Sequence, residues 1–431
     1  MGIPTPSDPW FTLDLRVADT ALVLLSHGAV LALARNMTSI ATLRVRRPGL
    51  IDRPLAIDDR VSALLASDAP VAIGVSGGKD SCALALATVA YLDSIGHKGP
   101  RVLVHADLGR VEWRASLPTC ERLAARLGLE LLVVRREQGD MMDRWLQRWR
   151  DNVKRYADLS CVKIILPWST PSMRFCTSEL KVSVICQALA KRFPGRAIVS
   201  TAGIRREEST ERSKAPISKE EPNLKKVRLA TSGVTWNPLL DWTESDVRAL
   251  CAAREFELHE GYTKFGMSRI SCAYCIMSNE ADLAASASCP DNADVYREMV
   301  DLEIASTFAF QGSRWLGDVA PHLLTEDQRA GLAEVKAKAA RREEIEAQIP
   351  EPLLYERGWP KVMPTAEEAE LLCGVRREIA ALYEIEISCT APADLMARYA
   401  DLMAQKAVKE AAAQKAAIKK AARKARKEAA S

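Results

Sequence analysis

The chain has 431 residues, 48% hydrophobic and 27% charged, with a formal net charge of +4, so it can bury a full core and its composition alone does not point to nucleic acid. No apolar run approaches the roughly 18–20 residues of a membrane helix, and Met1–Trp10 lacks the basic start and apolar centre of a secretory signal, so no membrane association is expected. Eleven cysteines without such a signal imply a reducing compartment, expected to be the cytoplasm, where thiols, metal ligands or a cluster are favoured over disulfides.

Residues 1–70 read as an N-terminal helical or mixed extension, closed by a helix near Asp58–Ser67. Val71–Val75 follows as an apolar strand, then Ser76-Gly-Gly-Lys-Asp-Ser81, then a helix near Lys79–Ile95. A strand, a turn that glycines permit and a helix start with free N–H groups together make an anion cradle suited to pyrophosphate. Gly77 and Gly78 allow close backbone approach to phosphate oxygens, Ser76 and Ser81 add hydroxyl donors, and Lys79 brings a point charge. Asp80 cannot favour phosphate directly, so it orients the loop or holds Mg2+. The blander reading is a Gly-Gly turn capping an ordinary helix, which leaves the serines, lysine and aspartate as accidents. The loop differs from Gly-x-x-x-x-Gly-Lys-Ser/Thr, because its two glycines are adjacent and aspartate follows lysine.

Apolar β-rich runs then alternate with helical patterns. Arg101–His105 precedes a helix near Glu112–Leu127, Glu130–Arg135 precedes Met141–Tyr156, and the helical Thr177–Arg192 leads to a strand at Ala197–Thr201. Such β-α-β units predict a doubly wound, mostly parallel α/β sheet with ligand at the carboxyl ends of its strands. Chemistry-bearing residues recur at those ends. Asp107 lies in His105-Ala-Asp-Leu-Gly-Arg-Val-Glu-Trp113, where an acid can reach ribose or a metal, or can simply make an Asp-x-Gly turn. Met173-Arg-Phe-Cys-Thr-Ser-Glu-Leu-Lys181 gathers Arg174, Cys176, Thr177 and Lys181 at a helix start, with Thr177 or Ser178 as cap. Gly203-Ile-Arg-Arg-Glu-Glu-Ser-Thr-Glu-Arg212 adds further guanidinium groups after the Ala197–Thr201 strand.

Cys272-Ala-Tyr-Cys275, preceded by Cys176 and followed by Cys289, offers four thiolates for a 4Fe-4S cluster or a tetrahedral Zn2+, the alternative being unmetallated thiols. Cys82, Cys120, Cys186 and Cys251 sit in apolar helical contexts and read as packing residues, as do most of Trp145, Trp149, Trp168 and Trp236. His97 and His259 read as surface or loop residues without chemistry. Residues 71–311 are thus expected to form one nucleotide-binding domain that includes the cysteines, and 312–403 a helical region with helices near Thr325–Gln348 and Thr365–Ile387. Residues 404–431 form an Ala/Lys-rich tail. From Gln405 onward it carries nine cations against two glutamates, reading either as a solvated helix or as a grip on nucleic-acid phosphates.

The glycine loop resembles the S-G-G-x-D-S signature of the PP-loop ATP pyrophosphatases. Together with R-x-C-T-x-x-L-K, G-x-R-x-x-E-S-x-x-R and the closing P-L-x-D-W-T-x-x-D-V at Pro238–Val247, the run from about Val71 to Cys289 resembles the phosphoadenylyl-sulfate reductase branch of that superfamily. The resemblance implies an adenine nucleotide alpha-hydrolase-like fold. Ser76, Gly77, Gly78, Lys79, Asp80, Ser81 and Asp107 would then bind the nucleotide, while Arg174, Thr177, Lys181, Gly203, Arg205, Glu208, Ser209 and Arg212 would line the phosphate or sulfur-donor side. Thioredoxin-using sulfonucleotide reductases depend on a late Glu-Cys-Gly-(Leu/Ile)-His segment. Here the late Cys373 and Cys389 lack the following histidine, which disfavours an enzyme thiosulfonate. Cluster-bearing reductases use a Cys-Cys pair, but Phe175 precedes Cys176, so Cys289 is the expected remaining ligand.

The arrangement looks more like the sulfur-transfer ATPases of DNA phosphorothioation. That likeness implies ATP and Mg2+, a cluster, a cysteine desulfurase as sulfur donor, and DNA or tRNA as acceptor through the basic tail. Lys79, Asp80, Arg174, Lys181 and Arg205 would then carry the catalytic charge. The alternatives are a cluster-dependent APS or PAPS reductase, tRNA thiolation, and a non-catalytic nucleotide-binding regulator.

Overall fold

The computed structural model describes residues 53–428 and, before them, only a short antiparallel pair, β1 (Thr12–Leu13) with β2 (Leu43–Arg44). The rest of the expected 1–70 extension, and residues 429–431, lie outside the described residues. A six-stranded sheet contains β3 (Val71–Gly74), β4 (Arg101–Asp107), β5 (Glu130–Arg135), β6 (Ala197–Thr201), β7 (Ser218–Glu220) and β8 (Ser232–Trp236) in the order β5-β4-β3-β6-β8-β7. Every pairing is parallel except β7 with β8. This is the doubly wound, mostly parallel α/β sheet expected.

Alternation along the strands explains the layering. Val71, Ile73, Leu103, Val199 and Val234 face a core completed by helices Asp59–Ala66, Lys79–Ser94, Ser116–Leu127 and Glu244–Ala253. Their neighbours Ala72, Val102, Val104 and Ile198 face Cys186 and Leu189 of helix Val184–Arg192 on the other side. Parallel strands buried on both faces read as continuous apolar runs for this reason. The strand order reverses at β3. The chain builds β4 and β5 on one side and then returns to place β6 on the other, so a crevice opens between the carboxyl ends of β3 and β6.

Local caps set the helix starts close to their expected positions. Asp58 accepts from the Val61 amide, and Thr243, Thr325 and Thr365 each form a reciprocal capping box with Asp246, Gln328 and Glu368. The expected single helix Thr177–Arg192 is instead Phe175–Thr177, a π-helical Ser178–Ser183 and then Val184–Arg192. The wider turn re-phases the helix, so that Leu180 enters one core while Cys186 and Leu189 enter another. Neither Thr177 nor Ser178 makes the expected side-chain cap.

The boundary expected at 311/312 falls inside a packed core that runs from Leu108 to Val335 and includes Leu316, Ala320 and Leu324. Glu303 pins the crossing: its carboxylate accepts N–H from Phe310, Leu316 and Gly317, and burial pushes its pKa up to about 7. A third core joins Tyr156–Ile164 to helices Glu326–Glu346 and Ala366–Tyr383. There the fully buried Arg376 donates to Tyr156 O, Ala157 O and Ser388 O, closing the carbonyl end of helix Met141–Ala157. Helix Pro392–Glu428 buries Leu395 and Tyr399 in this core and then leaves it, so that residues 409–419 are exposed throughout. No described helix is long and apolar enough to cross a membrane.

Candidate active site

The glycine loop turns at the carboxyl end of β3. Gly77 has φ +77°, and a Cβ there would stand 3.0 Å from Ser116 O, so a side chain would be both strained and crowded. Ser81 donates to Gly78 O at 2.8 Å and accepts from Ser76 N at 3.1 Å, fastening the turn internally. Gly78 gives helix Lys79–Ser94 no side-chain cap. Gly203, after β6, lies against this helix start; a Cβ there would meet Asp80 O at 3.1 Å.

The charges at this crevice neutralise one another. Lys79 is 2% exposed, with Nζ 3.2 Å from Ser268 O, 3.5 Å from Asp80 and 3.7 Å from Glu244. Arg205 is buried and donates Nε–H to Asp80 Oδ1 at 2.6 Å; a second arm pairs with Glu207. Burial opposes the Arg205 charge, but Asp80 outweighs it and raises the guanidinium pKa. Glu208 accepts the Arg205 amide at 2.7 Å and pairs with Arg212, while Ser209 caps helix Thr210–Ser213. The 203–212 motif therefore folds on itself, with Arg205 as its link to the glycine loop. Asp107 sits at the same sheet edge with both oxygens engaged, one by the Gly109 amide and one by Arg135.

His105, at the end of β4, anchors the loop from below, a role the sequence did not disclose. Its Nδ1 is 3.1 Å from Val75 O and its Nε2 3.1 Å from Glu112. Burial alone would depress its pKa, but hydrogen bonds to Cys120 and Glu112, with the Glu112 charge, raise it to about 10, so both ring nitrogens donate. The folded protein holds this proton more tightly than the unfolded chain, so the stability it contributes is complete below pH 6.5 and is lost as pH rises through about 10. His105→Gln should flatten that part of a melting-temperature profile; an unchanged decline would remove His105 as its source.

Three of the four expected ligand cysteines are neighbours. Burial pushes the Cys272 thiol up, Lys181 opposes this, and Cys275, Glu112 and Cys176 push the same way as burial. Cys275 Sγ accepts from the Met277 amide at 3.4 Å and from Arg269 at 3.8 Å. Cys289 is more deeply buried, 4% exposed in the Leu108–Val335 core against which Cys176 and Cys272 also pack, and the charges acting on its thiol are those of Asp291 and Glu260. Among the described residues no three His, Cys, Asp or Glu side chains converge on one metal-ion position. A single Zn2+ needs all its sulfurs about 2.3 Å from one point and fits poorly. A cluster spreads its thiolates over several irons and does not need one common point, and the thiols of Cys176 and Cys275 act on that of Cys272.

Arg174 and Thr177 point elsewhere. They line a cavity of about 900 Å3 with Arg144, Arg148 and Lys219, and a second cavity of about 640 Å3 shares its wall at Ser178, Glu179 and Asn223. Neither cavity reaches the glycine loop. The loop is covered by the run between helix Glu244–Ala253 and Cys272. His259, expected on the surface, is fully buried there: its Nδ1 accepts from Gly261 N, Nε2 faces Ser116 Oγ at 3.4 Å, and burial pushes its pKa down to about 4. His97 is buried as well, and the four packing cysteines and Trp145, Trp168 and Trp236 are buried as expected.

Residues 70–278 match the phosphoadenosine phosphosulfate reductase domain family. Over that span the chain carries this family's domain. The reductase-family domain thus takes in the glycine loop, Arg174–Lys181, the 203–212 turn and Cys272–Cys275. No curated protein matches the chain. Among solved structures, phosphoadenylyl-sulfate (PAPS) reductase from Candida auris in a phosphate complex is 14% identical, over 47% of this chain and 80% of that one, with a TM-score of 0.30. The U34-tRNA thiolase NcsA from Methanococcus maripaludis with its 4Fe-4S cluster is 14% identical over 60% and 82%, TM-score 0.29. The NH3-dependent NAD synthetase from Campylobacter jejuni is 15% identical over 69% and 95%, TM-score 0.27. Scores this low transfer no function to the reductase-family domain.

Proposed function

We propose that the chain is an ATP pyrophosphatase that adenylates an acceptor for sulfur transfer, most readily onto a nucleic-acid phosphate. One observation carries this reading: the glycine loop and the cysteine turn share a wall. Ser268 O takes the Lys79 ammonium, Ile270 O stands 3.5 Å from a Cβ placed on Gly78, and Cys272 follows two residues later. An activating phosphate site and a set of sulfur-handling thiols built from one segment suit a reaction that uses both.

In this reading Gly77, Gly78 and the first amides of helix Lys79–Ser94 hold the phosphates, and Lys79 neutralises charge as an acceptor oxygen attacks the α-phosphorus and pyrophosphate leaves. Asp80, fixed by Arg205, is the carboxylate available to Mg2+, which when bound screens phosphate charge. Cys176, Cys272 and Cys275 would hold a cluster, which when bound carries or positions sulfur; Lys181 beside Cys272 supplies positive charge there. The exposed helix beyond Tyr399, with Lys409, Lys415 and Lys419, and the cavity lined by Arg144, Arg148 and Arg174 are the surfaces that suit a polyanionic acceptor.

The family's domain supports a second reading, reduction of a sulfonucleotide. Pyrophosphate release from MgATP, assayed with DNA, tRNA and no acceptor, and sulfite release from adenylyl sulfate or its 3′-phosphate separate the two. ATP-dependent pyrophosphate stimulated by nucleic acid is expected, and sulfite formation without ATP would replace this reading with the second. For the thiols, anaerobically purified Cys176→Ala, Cys272→Ala and Cys275→Ala should each lose iron and visible absorbance while Cys289→Ala keeps them. Equal loss in Cys289→Ala, or stoichiometric zinc in place of iron, would overturn this ligand set.

A further inference from the structure

One backbone amide of the phosphate loop and one of the cysteine turn meet at a single oxygen atom. Tyr262, in the short helix Glu260–Thr263, accepts the Lys79 amide at 3.1 Å and the Ile270 amide at 3.1 Å on its phenol oxygen. Its ring lies 5.4 Å from the Lys79 ammonium and 5.5 Å from the Arg248 guanidinium, so the side chain packs against both cations. The Lys79 amide is the first of helix Lys79–Ser94 and one of the donors an anion at that end would need. The phenol oxygen therefore stands where a ligand oxygen would stand.

The second amide on that oxygen belongs to the cysteine turn. Ile270 precedes Cys272 by two residues, and beyond it the run is pinned at Ala273, whose amide donates to Val111 O at 2.7 Å. On the other side Ser268 is pinned by Asp282, at 2.8 Å through its amide and 2.7 Å through its hydroxyl. Between these pins, Tyr262 is what ties the Ile270 amide to the glycine loop.

We propose that Tyr262 is a displaceable latch: phosphate entering the glycine loop takes the Lys79 amide from the phenol, the tyrosine withdraws, and the segment between these pins is released to expose the Cys272 thiol. The proposal rests on the loop being a phosphate site. Linkage makes the coupling reciprocal, so whatever holds the cysteine turn in its present place weakens phosphate binding. A merely structural tyrosine would behave oppositely, because losing its hydroxyl would loosen the loop and weaken binding.

Tyr262→Phe keeps the ring against the two cations and removes only the competing oxygen. The test compares the full-length wild-type chain with this variant, both cluster-free and reduced, by calorimetric titration with pyrophosphate and with MgATP. It also compares the rates at which iodoacetamide alkylates Cys272, with and without pyrophosphate. Tyr262→Phe should bind pyrophosphate about three- to tenfold more tightly, the scale of one hydrogen bond no longer broken on binding. Its Cys272 thiol should react faster than wild type without ligand, and pyrophosphate should speed the wild-type thiol toward the variant's rate. Unchanged or weaker pyrophosphate binding by the variant overturns the latch. If neither protein binds pyrophosphate or MgATP, the phosphate reading of the loop fails. The ligand-free thiol rates then still decide whether the phenol restrains the cysteine turn, equal rates overturning it.

Discussion

Lys79→Met should lower pyrophosphate release from MgATP by at least about 100-fold, the scale of removing one preorganised charge from a transition state. Its ammonium is almost fully withdrawn from water and lies between Ser268 O, Asp80 and Glu244 at the mouth of the glycine turn, where a charge interacts more strongly than in bulk solvent. Removing it also leaves Asp80 and Glu244 facing each other with only Arg205 between, so some loss of stability accompanies the loss of rate. Methionine keeps the length and apolar stem of lysine, which limits the packing change. Turnover measured alongside circular dichroism and melting temperature separates the two effects. A folded Lys79→Met with wild-type pyrophosphate release would remove Lys79, and with it the assigned chemistry of the loop.

The parts of this site that the sequence disclosed are those whose physics is local. A continuous apolar run followed by Ser-Gly-Gly-Lys-Asp-Ser can be read as strand, turn and helix because Gly77 needs its positive φ and Ser81 fastens the turn from five residues away. Thr243, Thr325 and Thr365 mark helix starts by the same short-range logic. What stayed hidden is set by tertiary contact. Tyr262 is 183 residues from the amide it accepts, within an irregular run with no period or motif of its own. Cys289 shares a residue type with Cys176 and one core reaches both, but the charges acting on the Cys289 thiol are those of Asp291 and Glu260, whereas Cys176 acts with Lys181 on Cys272. His105 was visible as a strand-end histidine, yet its tie to Val75 exists only because β3 and β4 pair in register from Val71↔Arg101 to Gly74↔Val104.

Arg205→Ala should destabilise the fold by about 3–5 kcal/mol, the range for stripping one partner from a buried ion pair. Arg205 is 3% exposed and holds Asp80 Oδ1 at 2.6 Å, and Asp80 lies in the first turn of the helix that carries the glycine loop. With the guanidinium gone, Asp80 would keep only Lys79, at 3.5 Å, while Lys79 is shared with Glu244. The cost would thus fall on the carboxylate left behind more than on the arginine removed. Asp80→Asn in the Arg205→Ala background should recover a large part of the loss, because an amide tolerates burial where an unpaired carboxylate does not. The two single variants and the double variant, unfolded in urea, give the coupling energy directly. A loss below about 1 kcal/mol for Arg205→Ala, the worth of an exposed pair, would mean that water reaches Asp80 and that the crevice is open to solvent. Recovery in the double variant without recovery of pyrophosphate release would place Asp80 in the reaction and Arg205 in the scaffold that aims it.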